Sequence, residues 1–124
     1  MLSLIKKFNI EHLTNNIGYT LSGGECRKVE IARVIATNPK FILFDEPFLG
    51  IDPISISNIK NIIKQLNNDG LGIIITDHNT KEILDLCDEL YILYKGQIIA
   101  NGTSKEIKSN RKVKLLYLGN DFMY

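Results

Sequence analysis

The stretch Phe-Ile-Leu-Phe-Asp-Glu-Pro, residues 41–47, decides the fold of this chain. Its first part, residues 41–44, is a continuous apolar run, which is typical of a strand covered on both faces, as in a parallel sheet. The run ends abruptly in Asp45-Glu46. A second strand pattern, Ile73-Ile74-Ile75-Thr76, ends in Asp77-His78. We therefore predict two buried parallel strands, with the chemistry gathered at their carboxyl ends.

Helical patterns alternate with these strands. From about residue 24 to residue 37, good helix formers carry an apolar stripe, and Asn38-Pro39 stops the helix. Pro53 suits the first position of a second helix, which runs to about residue 68, because an N–H at that position has no helical partner to lose. The stripes consist of Val29, Ala32, Ile35 and Ala36 in the first helix and Ile56, Ile59, Ile63 and Leu66 in the second.

The remaining segments are shorter. Residues 1–13 carry apolar positions at helical spacing, and the polar residues 14–20 predict a loop. Asn79 with Glu82, and Thr103 with Glu106, have the spacing of capping boxes, so each pair predicts the start of a short helix. Between them, residues 90–94 and 97–100 resemble a hairpin. The predicted fold class is α/β: a mainly parallel sheet with flanking helices, a small antiparallel hairpin and a C-terminal helical tail.

The composition is that of one globular domain, residues 1–124, and excludes a multidomain enzyme. Fifteen Lys and Arg against fourteen Asp and Glu leave a net charge of +1, so no overall field draws the chain to nucleic acid or anionic lipid. The apolar runs are far shorter than the roughly 20 residues of a membrane span, and a signal-peptide pattern is absent. Two cysteines without metal-type spacing agree with a reducing compartment. We expect a cytoplasmic protein without a membrane span or a nucleic-acid partner.

Asp45 and Glu46 are the strongest candidates for chemistry. Adjacent carboxylates at a strand end can face a hydrated divalent cation with one group and polarise a water with the other, as metal-assisted phosphoryl transfer requires. The alternative is a strand that simply leaves the core into solvent. His78, at the end of the second strand, could bind a phosphate oxygen or hold a water, but a lone histidine there is usually a surface residue.

Ser22-Gly23-Gly24 precedes the first long helix. Unhindered backbone N–H groups, a hydroxyl and the positive end of a helix dipole then point the same way, which predicts an anion site. A tight turn with an ordinary helix cap is the alternative. The order and spacing of all these segments favour the functional interpretation over the separate structural ones.

The motifs Leu21-Ser22-Gly23-Gly24-Glu25, residues 41–47, Leu49-Gly50-Ile51-Asp52 and Thr76-Asp77-His78 together resemble the ATP-binding subunits of ABC transporters. They are similar, in that order, to the signature motif, the Walker B motif, the D-loop and the switch histidine of that family. The resemblance implies an ATPase that uses ATP and Mg²⁺. It also implies a homodimer that works with transmembrane permease subunits on the cytoplasmic face of the inner membrane.

The same resemblance implies a role for each motif residue. Ser22, Gly23, Gly24 and the adjoining Glu25 would bind the γ-phosphate side of an ATP held by the opposite subunit. Asp45 would hold Mg²⁺ through water, Glu46 would be the general base, and His78 would sense the γ-phosphate. Asp52 would couple the two sites of the dimer. Cys26 and Gly50 depart mildly from the family pattern, and neither change removes a catalytic group.

Within this family, the branch that powers lipopolysaccharide export is the most similar, over nearly the whole chain. The segments that carry this similarity include residues 30–33, 51–55, 70–72 and 76–79. The ATPases of branched-chain amino-acid importers share much of the D-loop, and Tyr-Leu-Gly-Asn-Asp-Phe at residues 117–122 favours the export branch.

A P-loop, G-x-x-x-x-G-K-[ST], is absent from the sequence. We therefore expect half of an ATPase domain, which hydrolyses ATP only when the other half is supplied. One alternative is a non-catalytic relic of a split gene. A chromosome-maintenance ATPase shares the motifs but should show coiled-coil heptads before the signature, and residues 1–20 show none.

Overall fold

The computed structural model describes residues 2–118 and contains two compact units, which divide between His78 and Asn79. In the first unit, two short 3₁₀ turns, Glu11–Leu13 and Gly18–Thr20, separate the first two helices. The elements are α1 (Leu2–Lys7), α2 (Gly23–Ile35), β1 (Phe41–Asp45), α3 (Pro53–Asn68) and β2 (Gly72–Thr76). The predicted alternation of helices and strands is confirmed.

Strands β1 and β2 pair in parallel, as predicted, in a register that aligns Phe41 with Gly72 and Asp45 with Thr76. Both strands therefore end at the same level, and their polar residues meet at one edge. A Cβ on Gly72 would lie 2.2 Å from the ring of Phe41, which covers the main chain at this position. The register brings the two predicted carboxyl ends together.

The prediction that β1 is covered on both faces is wrong for the described chain. Ile42 and Phe44 are buried, whereas Phe41 is 69% and Leu43 is 74% exposed. Side chains alternate between the faces of a strand, and the elements of this unit cover only one face of the two-stranded sheet. The continuous apolar run therefore behaves here like an alternating strand.

The predicted bounds of α2 and α3 hold within one or two residues, but their apolar stripes shift, and α1 ends at Lys7, short of the predicted segment 1–13. In α2, Ile31 is buried beside Ala32, and Ala36 is exposed beyond the helix end. In α3, Ile62 joins the buried positions and Ile56 is only half-buried. The buried residues of α3 are Ile59, Ile62, Ile63 and Leu66. A helix with a wide buried face takes in neighbouring positions that a narrow stripe leaves out.

The second unit contains the predicted hairpin, whose second strand is longer than expected. Its elements are α4 (Thr80–Leu86), β3 (Leu90–Tyr94), β4 (Gln97–Gly102), α5 (Ser104–Ser109), α6 (Arg111–Val113) and a π-helical turn (Lys114–Leu118). Lys95 and Gly96 both adopt positive φ values, 48° and 77°, which suit a tight hairpin turn. The core consists of Leu84, Leu90, Ile92, Ile107 and Val113.

The two capping boxes predicted for this unit have different outcomes. Thr103 and Glu106 form the reciprocal pair of hydrogen bonds at the start of α5. Asn79 is the N-cap of α4 but makes no side-chain capping bond, so that capping box is wrong although the helix forms. The predicted helical tail is present as far as Leu118 and otherwise lies outside the described residues. None of the helices in residues 2–118 is long and apolar enough to cross a membrane.

Candidate functional site

Asp45 and Thr76 face each other at the carboxyl edge of the parallel sheet. The Thr76 hydroxyl donates a hydrogen bond of 2.5 Å to Asp45 Oδ1. The Asp45 side chain is exposed, so its carboxylate is held by this contact while remaining open to solvent. Such an exposed, oriented carboxylate at the end of a rigid strand suits a hydrated Mg²⁺, which retains most of its waters in proteins.

Glu46 follows directly and has an unusual main chain, with φ of 44°. This left-handed conformation is uncommon for a residue with a side chain and requires support from its surroundings. Its N–H donates to the carbonyl of Thr76 at 2.8 Å, and its carbonyl accepts from the N–H of Leu49 at 3.2 Å. The backbone therefore turns sharply where the strand ends.

The turn brings Glu46 to His78. Glu46 Oε1 lies 3.4 Å from His78 Nδ1, and the two side chains are 45% and 66% exposed. The structure thus brings together Asp45, Glu46 and His78, the three residues predicted at the two strand ends. A carboxylate in contact with an imidazole on an exposed edge can accept a proton from a bound water.

Thr76 and Asp77 also belong to the candidate site, although the sequence motif that contains them predicts no role for either residue. Besides the bonds of Thr76, Asp77 Oδ2 accepts a hydrogen bond of 3.3 Å from the Phe48 N–H. Their position directly before His78 marks both as residues of the strand end, but the sequence does not show the register that gives Thr76 its partner Asp45.

Ser22 and Glu25 form a capping box at the start of α2. Glu25 Oε2 accepts from the N–H and the hydroxyl of Ser22, both at 2.8 Å, and the Glu25 N–H donates to Ser22 Oγ at 3.3 Å. The backbone and hydroxyl bonds from Ser22 hold the pKa of Glu25 below its ordinary value, and a contact with His12 adds to this. His12 Nε2 lies 3.6 Å from Glu25 Oε1. The helix cap, the structural alternative at this segment, is therefore present, and the anion site stays a prediction.

The glycines of this segment differ in their surroundings. A Cβ on Gly24 would lie 2.3 Å from Ser55 Oγ and 2.6 Å from Ser55 Cβ, so only glycine fits there. A Cβ on Gly23 would meet only the carbonyl of Gly50 at 3.5 Å, an ordinary contact. Gly24 therefore allows the start of α2 to pack against the start of α3.

Asp52 begins α3 as its N-cap and accepts a hydrogen bond of 3.0 Å from the Ser55 N–H. The side-chain and backbone bonds from Ser55 hold the pKa of Asp52 below its ordinary value. Ser55 thus links Asp52 to Gly24. In residues 2–118, no group of three or more His, Cys, Asp or Glu side chains is arranged to hold a metal ion. The role of Asp45 as a ligand that acts through water stays a prediction.

A family model, curated relatives and solved structures all indicate similarity to the same family. Residues 1–49 match the model of the ABC transporter family. The chain is 57% identical, over 96% of its length, to the lipopolysaccharide export system ATP-binding protein LptB of Haemophilus influenzae, and 56% identical to LptB of Escherichia coli K12. It spans about half the length of these curated relatives, 49% in both cases.

Solved structures agree with these similarities. An ATP-binding cassette of an ABC transporter in its ADP conformation matches 94% of this chain with a TM-score of 0.85 and 35% identity, and the chain covers 48% of that structure. The cbiO1 subunit of Clostridium perfringens, part of an ABC transporter complex, matches 92% with a TM-score of 0.80 and 32% identity, and 47% of its chain is covered. The fold predicted from the alternating segments is therefore that of part of an ATP-binding cassette.

Proposed function

We propose, from its similarity to ATP-binding proteins of ABC transporters, that this chain supplies the catalytic carboxylates and the signature segment of an ATPase that powers lipopolysaccharide export. The contact of 3.4 Å between Glu46 and His78, at the end of two level parallel strands, carries the ATPase proposal. The identity of 57% with a lipopolysaccharide export ATP-binding protein supports the choice of cargo.

Each predicted residue has a place in this proposal. Glu46 takes a proton from the attacking water, and His78 orients Glu46 and senses the γ-phosphate. Asp45 would hold Mg²⁺ through water, and the ion would supply positive charge to the phosphoryl group that is transferred. The exposed Asp45 carboxylate and its bond to Thr76 support that role.

The signature segment acts across the dimer in this proposal. Ser22, Gly23, Gly24 and Glu25 face the γ-phosphate of an ATP held by a second ATPase subunit. The start of a helix favours an anion because its backbone N–H groups and dipole are positive. Asp52 couples the two sites, and the packing of Gly24 on Ser55, beside the Asp52 cap, supports a mechanical link between them.

The phosphate-cradling loop must come from a segment outside this sequence, because G-x-x-x-x-G-K-[ST] does not occur in it. We propose that residues 1–124 form part of one ATP-binding domain, inactive alone. The complete ATPase works as a homodimer with transmembrane permease subunits, attached to the cytoplasmic face of the inner membrane.

Glu46→Gln tests the catalytic assignment in the assembled dimer that includes the P-loop segment. We expect kcat to fall by about 10²- to 10⁴-fold, because glutamine cannot accept the proton, while ATP still binds. Glu11→Gln, a neutralised carboxylate on an exposed 3₁₀ turn, is the matched control and should retain kcat. Activity unchanged by Glu46→Gln would refute the proposal.

The cargo is tested separately. The ATPase and its permease subunits, placed in vesicles that contain lipopolysaccharide, should extract that lipid only when ATP is supplied. Uptake of a branched-chain amino acid without lipid extraction would replace the export assignment and leave the ATPase assignment intact.

A further inference from the structure

We infer that Thr76 is a positioning residue for both carboxylate residues of the 41–47 segment: its hydroxyl fixes Asp45 and its carbonyl fixes Glu46. The inference rests on the proposed function, because it assigns Thr76 a part in that reaction. It needs no contact outside the first unit, and the residues involved lie at the aligned ends of β1 and β2.

The side-chain contact acts on Asp45. The Thr76 hydroxyl donates to Asp45 Oδ1 at 2.5 Å and lies 3.5 Å from the carbonyl of Phe44. An exposed carboxylate otherwise rotates between several orientations, and a hydrogen bond to one oxygen restricts that rotation. Residues that orient a group serving a metal commonly affect metal affinity or activity about 10- to 100-fold. The hydroxyl therefore prepares Asp45 for the hydrated cation.

The main-chain contact acts on Glu46. With φ of 44°, Glu46 depends on its surroundings to keep this conformation. The carbonyl of Thr76 holds the Glu46 N–H at 2.8 Å, and Asp77 holds the Phe48 N–H at 3.3 Å, two residues further along the turn. This backbone support does not depend on the Thr76 side chain.

The two contacts are therefore separable by mutation. Thr76→Val keeps the shape of the side chain and the backbone support of Glu46 but removes the hydroxyl from Asp45. Thr76→Ser keeps the hydroxyl. A role for Thr76 in orienting Asp45 consequently predicts a defect in the use of the metal ion, whereas a purely structural role predicts a loss of folded protein.

The experiment measures ATP hydrolysis by the assembled dimer against Mg²⁺ concentration, and Mn²⁺ binding to the ATP-loaded dimer by electron paramagnetic resonance. For Thr76→Val we expect the half-saturating Mg²⁺ concentration to rise about tenfold or more, with Mn²⁺ binding weakened in parallel. Thr76→Ser should bring both values back to within about threefold of the parent. Thr37→Val, which removes a hydroxyl bonded to the Val34 carbonyl, is the control.

Unchanged Mg²⁺ dependence and Mn²⁺ binding in a folded Thr76→Val dimer would overturn the inference, as would an equal defect in Thr76→Ser. These results are distinguishable from failure of the proposed function. If Glu46→Gln abolishes hydrolysis while Thr76→Val has no effect, only the inference fails. If Glu46→Gln has no effect, the catalytic assignment itself fails.

Discussion

Two helices of this chain begin with almost the same capping box. At α2, the N–H and hydroxyl of Ser22 donate to Glu25 at 2.8 Å each, and the Glu25 N–H returns a bond of 3.3 Å. At α5, the corresponding bonds between Thr103 and Glu106 measure 2.7, 2.8 and 3.4 Å. Only the first lies in a candidate site. Cap geometry therefore does not define a site.

The difference lies in the two residues inside each cap. Gly23-Gly24 follows Ser22, and Gly24 is buried against Ser55 at the start of a second helix. Ser104-Lys105 follows Thr103, and Lys105 is exposed on a helix of only six residues. At the start of α2, the backbone of Gly23 and Gly24 carries no side chains that would keep a ligand away. At the start of α5, the side chains of Ser104 and Lys105 cover the corresponding backbone.

The largest effect should come from filling the space at Gly24. Gly24→Ala places a methyl group 2.6 Å from Ser55 Cβ. Overpacking of this kind costs about 1–3 kcal/mol, which outweighs a helix-propensity gain of at most about 1 kcal/mol. We expect chemical denaturation of the ATPase to show lower stability and hydrolysis to fall.

The matched change at α5 is Lys105→Ala, which should alter the free energy of unfolding by less than about 0.5 kcal/mol. Unreduced stability in Gly24→Ala would mean that α2 and α3 separate without cost, and the contrast between the two caps would disappear.

Removing the cap hydroxyls should separate the effect of each cap on stability from its effect on ATP hydrolysis. Ser22→Ala and Thr103→Ala each lose the same capping bonds, so each should lower the free energy of unfolding by about 1 kcal/mol. Only Ser22→Ala should also reduce ATP hydrolysis, because Ser22 is proposed to meet a phosphate. Equal hydrolysis by both variants, measured at saturating ATP and matched folded fraction, would remove Ser22 from the site.

The smallest effect concerns pH. Hydrogen bonds from Ser22 and Thr103 hold the pKa of Glu25 and of Glu106 below the ordinary value of 4.5. Because these pKa values are lower in the folded state, the stabilisation is present above pH 4.5 and is lost as the pH falls through the folded-state values.

The free energy of unfolding, measured at several values between roughly pH 3 and pH 6, should therefore depend less on pH in Glu25→Gln and in Glu106→Gln than in the parent protein. His12→Ala should change only the contribution of Glu25, since His12 contacts that carboxylate. No change in either variant would contradict this account of the caps.

Sequence patterns predicted most elements because local signals and global packing agree. Pro53 at the start of α3, the glycine-containing hairpin turn and the Thr103 cap all act within a few residues, and all are confirmed. Asn79 failed as a capping box because its side chain makes no capping bond although the spacing is correct. The apolar run 41–44 did not reveal which face of the strand is covered, since coverage depends on distant elements.

In the candidate site, too, local sequence signals could be interpreted and contacts between distant segments could not. Asp45, Glu46 and His78 could be named from the ends of two apolar runs, and the motifs indicated the same family that the comparisons match. The roles of Thr76, Asp77 and Ser55 could not, because their partners Asp45, Phe48 and Gly24 lie 29 to 31 residues away in the chain.

By itself, the sequence determined the order of helices and strands, the caps at Ser22 and Thr103, and the chemical groups available at the strand ends, because these depend on neighbouring residues. Tertiary structure alone decided the register that aligns Asp45 with Thr76 and the close approach of Gly24 to Ser55. It also decided the left-handed turn that carries Glu46 to His78. Hydrogen bonds and packing between distant segments act only once the chain has folded, so local patterns do not encode them individually.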